Sequence, residues 1–150
     1  YPCLCAIAPG VMAQTGMETM EIIRGVIAET KPDVVIAIDA LAARSMKRLN
    51  CTIQITDTGI NPGSGVGNHR HGLNEKSLGV PVISIGIPTV VDAATIVNES
   101  LEEAEMEEFL GELITPRLHS MFVTPKDVDE TVKMLSYTIS EGLNMAFDRK

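Results

Sequence analysis

The stretch DVVIAIDALAAR, residues Asp33–Arg44, carries the strongest indication of fold in this chain. Residues Val34–Ile38 form a short, continuous and mostly β-branched apolar run, which is typical of a strand buried on both faces. Asp39 ends that run, and Ala40–Arg44 is rich in helix-forming residues. Because ligands of open α/β sheets bind at the carboxyl ends of strands, Asp39 is a candidate for chemistry as well as for a helix cap.

A second predicted strand, Thr52–Thr56, also ends in an aspartate, within the tripeptide DTG. The loop that follows has glycine at alternate positions, and glycine allows the positive φ angles and close backbone approaches that often border sites. The candidates to line a polar cleft beside Asp39 are Asp57, Gly63, Ser64 and Gly65. For Asp57 the favoured interpretation is structural, as a hydrogen-bond partner of the glycine loop, and lining the cleft is the alternative.

Predicted helices and strands alternate along the chain, which implies right-handed crossovers and a largely parallel sheet. The last helix has one apolar stripe and is expected to pack on the sheet or on a neighbouring subunit. The remaining predicted elements are a strand over Leu4–Ala8, a helix from Thr15 to about Glu29 with a Thr15–Glu18 capping box, a helix over Leu41–Leu49, a strand over Pro81–Ile87, a helix from Val90 to about Asn98, a short strand over Met121–Val123 and the last helix from Pro125 to about Phe147.

Composition limits the classes of function. The chain has 150 residues, 45% of them hydrophobic but only 3% aromatic, which fits one domain with an aliphatic core and argues against base-stacking nucleic-acid modules. A net charge of -8 opposes direct binding to nucleic acid. No apolar run approaches the ~20 residues that span a bilayer, and the first residues lack the charged region of a signal peptide. We therefore expect no nucleic-acid partner, no membrane partner and a cytoplasmic location.

Two other groups of side chains invite a chemical interpretation. His69 and His71 form an H-x-H pair that could bind a metal together with Asp39 or Asp57, although Arg70 between them also fits a solvated basic loop. The three cysteines have no histidine in an arrangement recognisable for a thiol nucleophile. The glycine loop is neither a dinucleotide-binding fingerprint nor a Walker A sequence. The sequence thus predicts no metal and no cofactor, with a metal-dependent hydrolase that uses Asp39 and histidines as an alternative.

Four long motifs occur in order and at close spacing. Together they resemble the germination protease of spore-forming bacteria, also called spore protease or GPR endopeptidase, over about the first two-thirds of the chain. The motifs are APGVMAQTGMET (8–19), KPDVVIAIDALAARS (31–45), TIQITDTGINPGSGVGN (52–68) and LGVPVISIGIPTVVDA (78–93).

The resemblance implies an endopeptidase that degrades small acid-soluble spore proteins during germination. It further implies an atypical aspartic-type mechanism, synthesis as a zymogen, assembly as a homotetramer and a location in the spore core. The implied fold is a three-layer α/β/α sandwich with a mostly parallel sheet, similar to that of hydrogenase-maturation peptidases.

The resemblance also assigns the catalytic residues. One of the family's two essential aspartates maps onto Asp39, and the other lies in an N-terminal segment ahead of Tyr1, with no counterpart in these residues. We therefore expect residues 1–150 to form a single peptidase domain that lacks that segment and is inactive by itself. The alternative outside enzymes is an α/β scaffold domain without activity.

Overall fold

Helices and a four-stranded sheet make up the part of the chain that the computed structural model describes, residues 3–63, 71–106, 108 and 114–148. This combination confirms the predicted α/β class. The elements are α1 (Met12–Thr15), α2 (Thr19–Thr30), β1 (Val35–Ala43), a 3-10 turn (Met46–Arg48), β2 (Gln54–Thr56), α3 (Glu75–Leu78), β3 (Val82–Asp92), α4 (Ala93–Glu103), α5 (Pro116–His119), β4 (Phe122–Val123) and α6 (Val128–Phe147).

The sheet is built around β3. Its strand order is β1-β3-β2, and β4 pairs with the far end of β3. The longest pairing is parallel and joins all of β1 to β3, whereas the short strands β2 and β4 run antiparallel to β3. The sheet is therefore open and mixed, and the strand of its parallel pair that carries Asp39 is β1.

Strand β1 continues through the predicted strand end at Asp39. The helix predicted over Leu41–Leu49 is wrong, because Ala40–Ala43 extend the ladder with β3 and only the short 3-10 turn follows. The alanines do have high helix propensity, but tertiary pairing overrides such a weak preference. The register shifts between Leu41 and Ala42, opposite Pro88, which has no N–H to donate to a ladder.

One other predicted element is absent, and two predicted boundaries move. The strand predicted over Leu4–Ala8 is wrong, since these residues are exposed and have no regular secondary structure. The first long helix begins after Glu18, which forms the capping box with Glu21 in place of the predicted Thr15–Glu18 pair. Strand β3 runs on to Asp92, whose Oδ1 accepts a hydrogen bond of 2.6 Å from the Thr95 amide, so that α4 begins at Ala93.

The core lies between α2 and one face of the sheet. Its buried centre combines Ile60, Leu73, Leu78 and Val82. Partly buried side chains pack against that centre from α2 and from alternate positions of β1: Met20, Ile23, Ile27, Val35, Ala37 and Leu41. This alternation follows from the two-residue period of a strand and defines the core face of β1.

Helix α6 has the predicted amphipathic pattern, and none of its residues is buried. Tyr137 is 64% exposed and Met145 is 77% exposed. The packing of its apolar stripe, on the sheet or on a neighbouring subunit, stays a prediction.

Gly86 leaves room for a side chain of the neighbouring strand. A Cβ atom at residue 86 would overlap Leu41 Cδ1 and lie 2.7 Å from Leu41 Cγ. Gly86→Ala is therefore expected to lower the free energy of unfolding by about 1–3 kcal/mol, because overpacking forces a neighbour from its rotamer. Urea denaturation measures this loss, with Gly142→Ala in α6 as the control, since a Cβ there meets nothing within 4 Å. A Gly86 variant as stable as the unsubstituted protein would contradict this packing.

Gly59 combines a positive φ of 87° with close backbone contact. Ile60 and Leu73 exchange two backbone hydrogen bonds: the Ile60 amide donates to the Leu73 carbonyl at 2.9 Å, and the Leu73 amide donates to the Ile60 carbonyl at 2.7 Å. This pairing brings the two segments so close that a Cβ atom added at residue 59 would lie 2.8 Å from Asn74 Cα. We expect Gly59→Ala to be less stable than Gly16→Ala by about 2 kcal/mol, because both substitutions strain a positive φ but only Gly59 meets backbone. Gly16 is a matched control, with φ 69° and no atom within 4 Å of its added Cβ. Equal losses in thermal denaturation would show that the close contact is absent.

Candidate functional site

Asp39 lies in the middle of β1, opposite Gly86 of β3. Its neighbours two positions away, Ala37 and Leu41, both pack against the core. Because side chains alternate along a strand, the carboxylate of Asp39 projects from that same face. Asp39 is half-buried, and its Oδ1 accepts a hydrogen bond of 2.9 Å from the Ala40 amide. The structure thus places this carboxylate between apolar neighbours with part of its surface accessible.

The sheet face around Asp39 also carries polar groups. Gln54 of β2 pairs with Gly86 from the other side, and Thr56 pairs with Ser84. Ser84 is only 2% exposed, and within the described residues its hydroxyl has no hydrogen-bond partner. A buried polar group of this kind normally binds a water molecule or a ligand. Sequence reasoning missed Ser84, although a serine in the alternating run VISIGI marks an inward polar position.

One side of β1 is open in the described part of the sheet, because β1 is the end strand and pairs with β3 alone. The outward face of this strand is apolar, and Ile38 is 52% exposed. A nine-residue strand with an open side can pair with a further strand or with an extended peptide.

The turn after β1 is held by contacts with two other elements, α4 and β3, and by one hydrogen bond within the turn. Glu99 Oε2 of α4 accepts a hydrogen bond of 2.9 Å from the Met46 amide. The Asn50 amide donates to the Pro88 carbonyl of β3 at 2.8 Å, and the Ser45 hydroxyl accepts from the Lys47 amide at 3.3 Å. These contacts fix the backbone immediately beyond the end of β1.

Asp57 is not brought close to Asp39. Strand β2 is antiparallel to β3, so its last residues lie near the start of β3, while Asp39 lies opposite Gly86 further along. Strand spacing and rise put the two aspartates about 14 Å apart. Asp57 is exposed and lines a shallow depression of about 560 Å³ with Thr58, Asn74, Glu75 and Lys76. Its role stays a prediction.

The glycine loop is described only in part. Gly63 lies in a turn with a φ of 73°, and the predicted cleft residues Ser64 and Gly65 lie outside the described residues. The contact predicted between Asp57 and this loop therefore remains a hypothesis.

The histidine pair is likewise described only in part. His71 Nδ1 lies 2.6 Å from Glu18 Oε2, whereas His69 falls outside the described residues. Within the described ranges no three His, Cys, Asp or Glu side chains form a cluster that could hold a metal. Cys3, Cys5 and Cys51 are exposed free thiols.

The group in this arrangement that could take part in catalysis is the carboxylate of Asp39. A half-buried carboxylate can accept a proton from water, and hydrolysis of a peptide additionally needs an acid that protonates the carbonyl oxygen or the leaving amine. Among the described helices, none is long and apolar enough to cross a membrane.

Comparison with known proteins gives one consistent result. A family model described as germination protease matches residues 1–103. The chain is 46% identical to the germination protease of Clostridium acetobutylicum, over 95% of this chain and 51% of the relative. For the germination protease of Clostridium tetani the identity is 47%, over 95% of this chain and 52% of the relative. For that of Bacillus subtilis it is 40%, over 100% of this chain and 55% of the relative.

The chain spans about half the length of these curated relatives. The alignment with the Bacillus subtilis protein covers 204 residues, more than the 150 of this chain, so the relative carries additional residues inside the matched region. The matched family model includes the whole of β1, the turn after it and β3. On the extent of these matches, the chain belongs to the germination protease family.

Proposed function

We propose that this chain is one α/β domain of an endopeptidase, in which Asp39 supplies one of two catalytic carboxylates. The observation that carries the proposal is the position of Asp39, half-buried at the centre of a strand with an open side in the described sheet. Membership of the germination protease family supports peptide hydrolysis as the reaction. The second carboxylate comes from residues outside this chain.

The proposed reaction uses water as the nucleophile. The ionised carboxylate of Asp39 takes a proton from a water molecule as that water attacks the scissile carbonyl carbon. The second carboxyl group, which is protonated, donates its proton to the carbonyl oxygen and the tetrahedral intermediate forms. Two carboxylates a few ångströms apart divide these roles because like charges resist ionising together. Collapse of the intermediate transfers a proton to the leaving amine and regenerates the pair.

Several features of the sheet support Asp39 in this role. Its apolar neighbours Ala37 and Leu41 exclude part of the surrounding water, which strengthens electrostatic interactions at the carboxylate. The Ser84 hydroxyl on the same face, which has no hydrogen-bond partner among the described residues, is able to hold a water molecule near the site. The bonded turn beyond β1 limits movement of the strand end.

Family membership extends the proposal to the whole protein. Its substrates are the small acid-soluble spore proteins, degraded during germination in the spore core. The protein is made as a zymogen and assembles as a homotetramer, and its sheet layers resemble those of hydrogenase-maturation peptidases. Without the second carboxylate, residues 1–150 alone do not turn over substrate.

The test is Asp39→Asn in the full-length gene product. Cleavage of spore-protein substrate is expected to fall by about a hundredfold to ten-thousandfold, because one member of an acid–base pair contributes roughly 10²–10⁴ in rate. Asp57→Asn makes the same chemical change at an exposed residue about 14 Å away and is expected to retain turnover. Urea denaturation of both variants should show free energies of unfolding within about 1 kcal/mol of the unsubstituted protein.

Three results would decide against this assignment. Full turnover by Asp39→Asn would remove Asp39 from the mechanism. Loss of turnover by Asp57→Asn with an unchanged fold would move the site to Asp57. A folded full-length protein that cleaves no spore protein would favour a scaffold without activity.

A further inference from the structure

Ser84 of β3 carries a hydroxyl group that is buried without a partner. The side chain is 2% exposed, and among the described residues its Oγ atom makes no hydrogen bond. A buried hydroxyl without a partner costs free energy, so such a group in a folded protein normally bonds to an ordered water molecule or to a ligand. The Ser84 hydroxyl is therefore a candidate to hold a small polar molecule on this face of the sheet.

The residues beside Ser84 in the sheet explain why its hydroxyl is unpaired. Ala37 of β1 and Thr56 of β2 are its partners in the two ladders. Ala37 has no polar side-chain atom. The Thr56 hydroxyl belongs to its own turn, because it lies 2.8 Å from the Thr58 hydroxyl and accepts from the Thr58 amide at 3.1 Å. Neither ladder partner therefore bonds to the Ser84 hydroxyl.

Asp39 lies diagonally across the ladder from Ser84, on the same face of the sheet. The register pairs Ala37 with Ser84 and Asp39 with Gly86, so Asp39 and Ser84 are displaced by two residues on neighbouring strands. The spacing and rise of strands put their Cα atoms about 8 Å apart. Side chains that lean towards each other bring the oxygen atoms to about 5–6 Å, which one water molecule spans with a hydrogen bond of about 2.8 Å on each side.

Gln54 occupies the corresponding diagonal position on β2, because it pairs with Gly86 from the opposite side. Its side chain is exposed, so solvent satisfies its amide group. Leu41 fills the space over Gly86 between Gln54 and Asp39, since its Cγ atom lies 2.7 Å from the position of a Cβ atom at Gly86. Ser84 is thus the polar side chain of this face that is best placed to share a water molecule with Asp39.

The two ends of this diagonal differ in burial. Ser84 is enclosed, whereas Asp39 is half-buried. A water molecule between them would be held on one side by the protein interior and would face the accessible surface of the carboxylate on the other. This is the arrangement that a nucleophilic water requires, because it must be oriented by the protein and still meet the substrate.

We propose that Ser84 is a positioning residue, whose hydroxyl holds the water molecule that Asp39 activates for attack on the peptide bond. The inference deepens the proposed function and rests on it, because the water becomes a nucleophile only if Asp39 is the base. The water accepts a hydrogen bond from the Ser84 hydroxyl and donates one to the Asp39 carboxylate, which leaves a lone pair for the scissile carbonyl carbon. As the carbon–oxygen bond forms, the proton of the water passes to Asp39, and Ser84 neither gains nor loses a proton.

The first experiment is Ser84→Ala in the full-length gene product, which removes only the hydroxyl. We expect kcat for spore-protein cleavage to fall by about ten- to a hundredfold, because misplacing a reacting group by about 1 Å costs up to about a hundredfold. KM is expected to stay within about twofold, since Ser84 orients the water and does not bind the peptide.

Ser136→Ala in α6 is the matched control. It makes the same chemical change at an exposed hydroxyl that donates to the Val132 carbonyl at 2.7 Å. It is expected to retain both kcat and KM. An unchanged kcat in Ser84→Ala, above all with a gain in stability against urea, would show a plain unpaired hydroxyl and overturn the inference.

The pH dependence separates positioning from a merely structural role. A hydrogen bond donated to the charged form lowers the pKa of a carboxyl group, so loss of the held water raises the pKa of Asp39. The acid limb of the kcat/KM profile is therefore expected to move to higher pH by about one pH unit in Ser84→Ala. The core side chains that α2 packs here, Met20, Ile23 and Ile27, do not titrate, and the second carboxylate of the proposed pair is common to both proteins. A lower kcat with an unmoved acid limb would overturn the positioning role.

Crystal structures of the full-length protein with and without Ser84→Ala test the water itself, independently of turnover. We expect a water molecule within about 3.2 Å of both Ser84 Oγ and an Asp39 carboxylate oxygen, and its loss or displacement in Ser84→Ala. A protein atom bonded to Ser84 Oγ in its place would overturn the inference. The expected water in a protein that cleaves nothing would support the water site and count against the proposed function alone.

Discussion

The parallel pairing of β1 with β3 is the constraint on which the rest of this structure depends. It extends β1 beyond Asp39, through residues whose local propensity favours a helix, and holds Asp39 opposite Gly86. The absent side chain of Gly86 creates the space that Leu41 fills, and Leu41 in turn packs against the core beside α2. The same pairing orients the turn after β1, because that turn is bonded both to Pro88 of β3 and to α4.

Much of the fold was predictable from local patterns. The apolar runs before Asp39 and around Gly86 predicted the two long strands, and the amphipathic stripe near the C-terminus predicted α6 within a few residues of its observed start. The errors arise where long-range pairing competes with local preference. Ala40–Ala43 favour a helix in isolation, but each residue gains a ladder partner in β3. Likewise Val90 and Val91 extend β3 because they pair with Ala42 and Ala43, which delays the start of α4.

The candidate site was less accessible to sequence reasoning. Both aspartates follow strand-like runs, so the sequence suggests that they lie close together. In the structure β2 runs antiparallel to β3, and this direction separates Asp57 from Asp39. Ser84 looks like one polar residue in a buried run until the sheet shows that it shares a face with Asp39. The turn after β1 was also missed, because Arg44, Lys47 and Arg48 lie within the helix predicted over Leu41–Leu49. Its fixed geometry follows from the same strand extension that the propensity of the alanines obscured.

The extension of β1 through Asp39 is also the most direct point at which to test this account. Backbone ¹³Cα chemical shifts of Ala40, Leu41, Ala42 and Ala43 in the isotope-labelled protein report local conformation without substitution. Because β1 extends to Ala43, shifts below the random-coil values are expected at all four residues, as in a strand. Shifts above those values would place the residues in a helix, move Asp39 to a strand end and contradict the arrangement of the site and of the turn after β1.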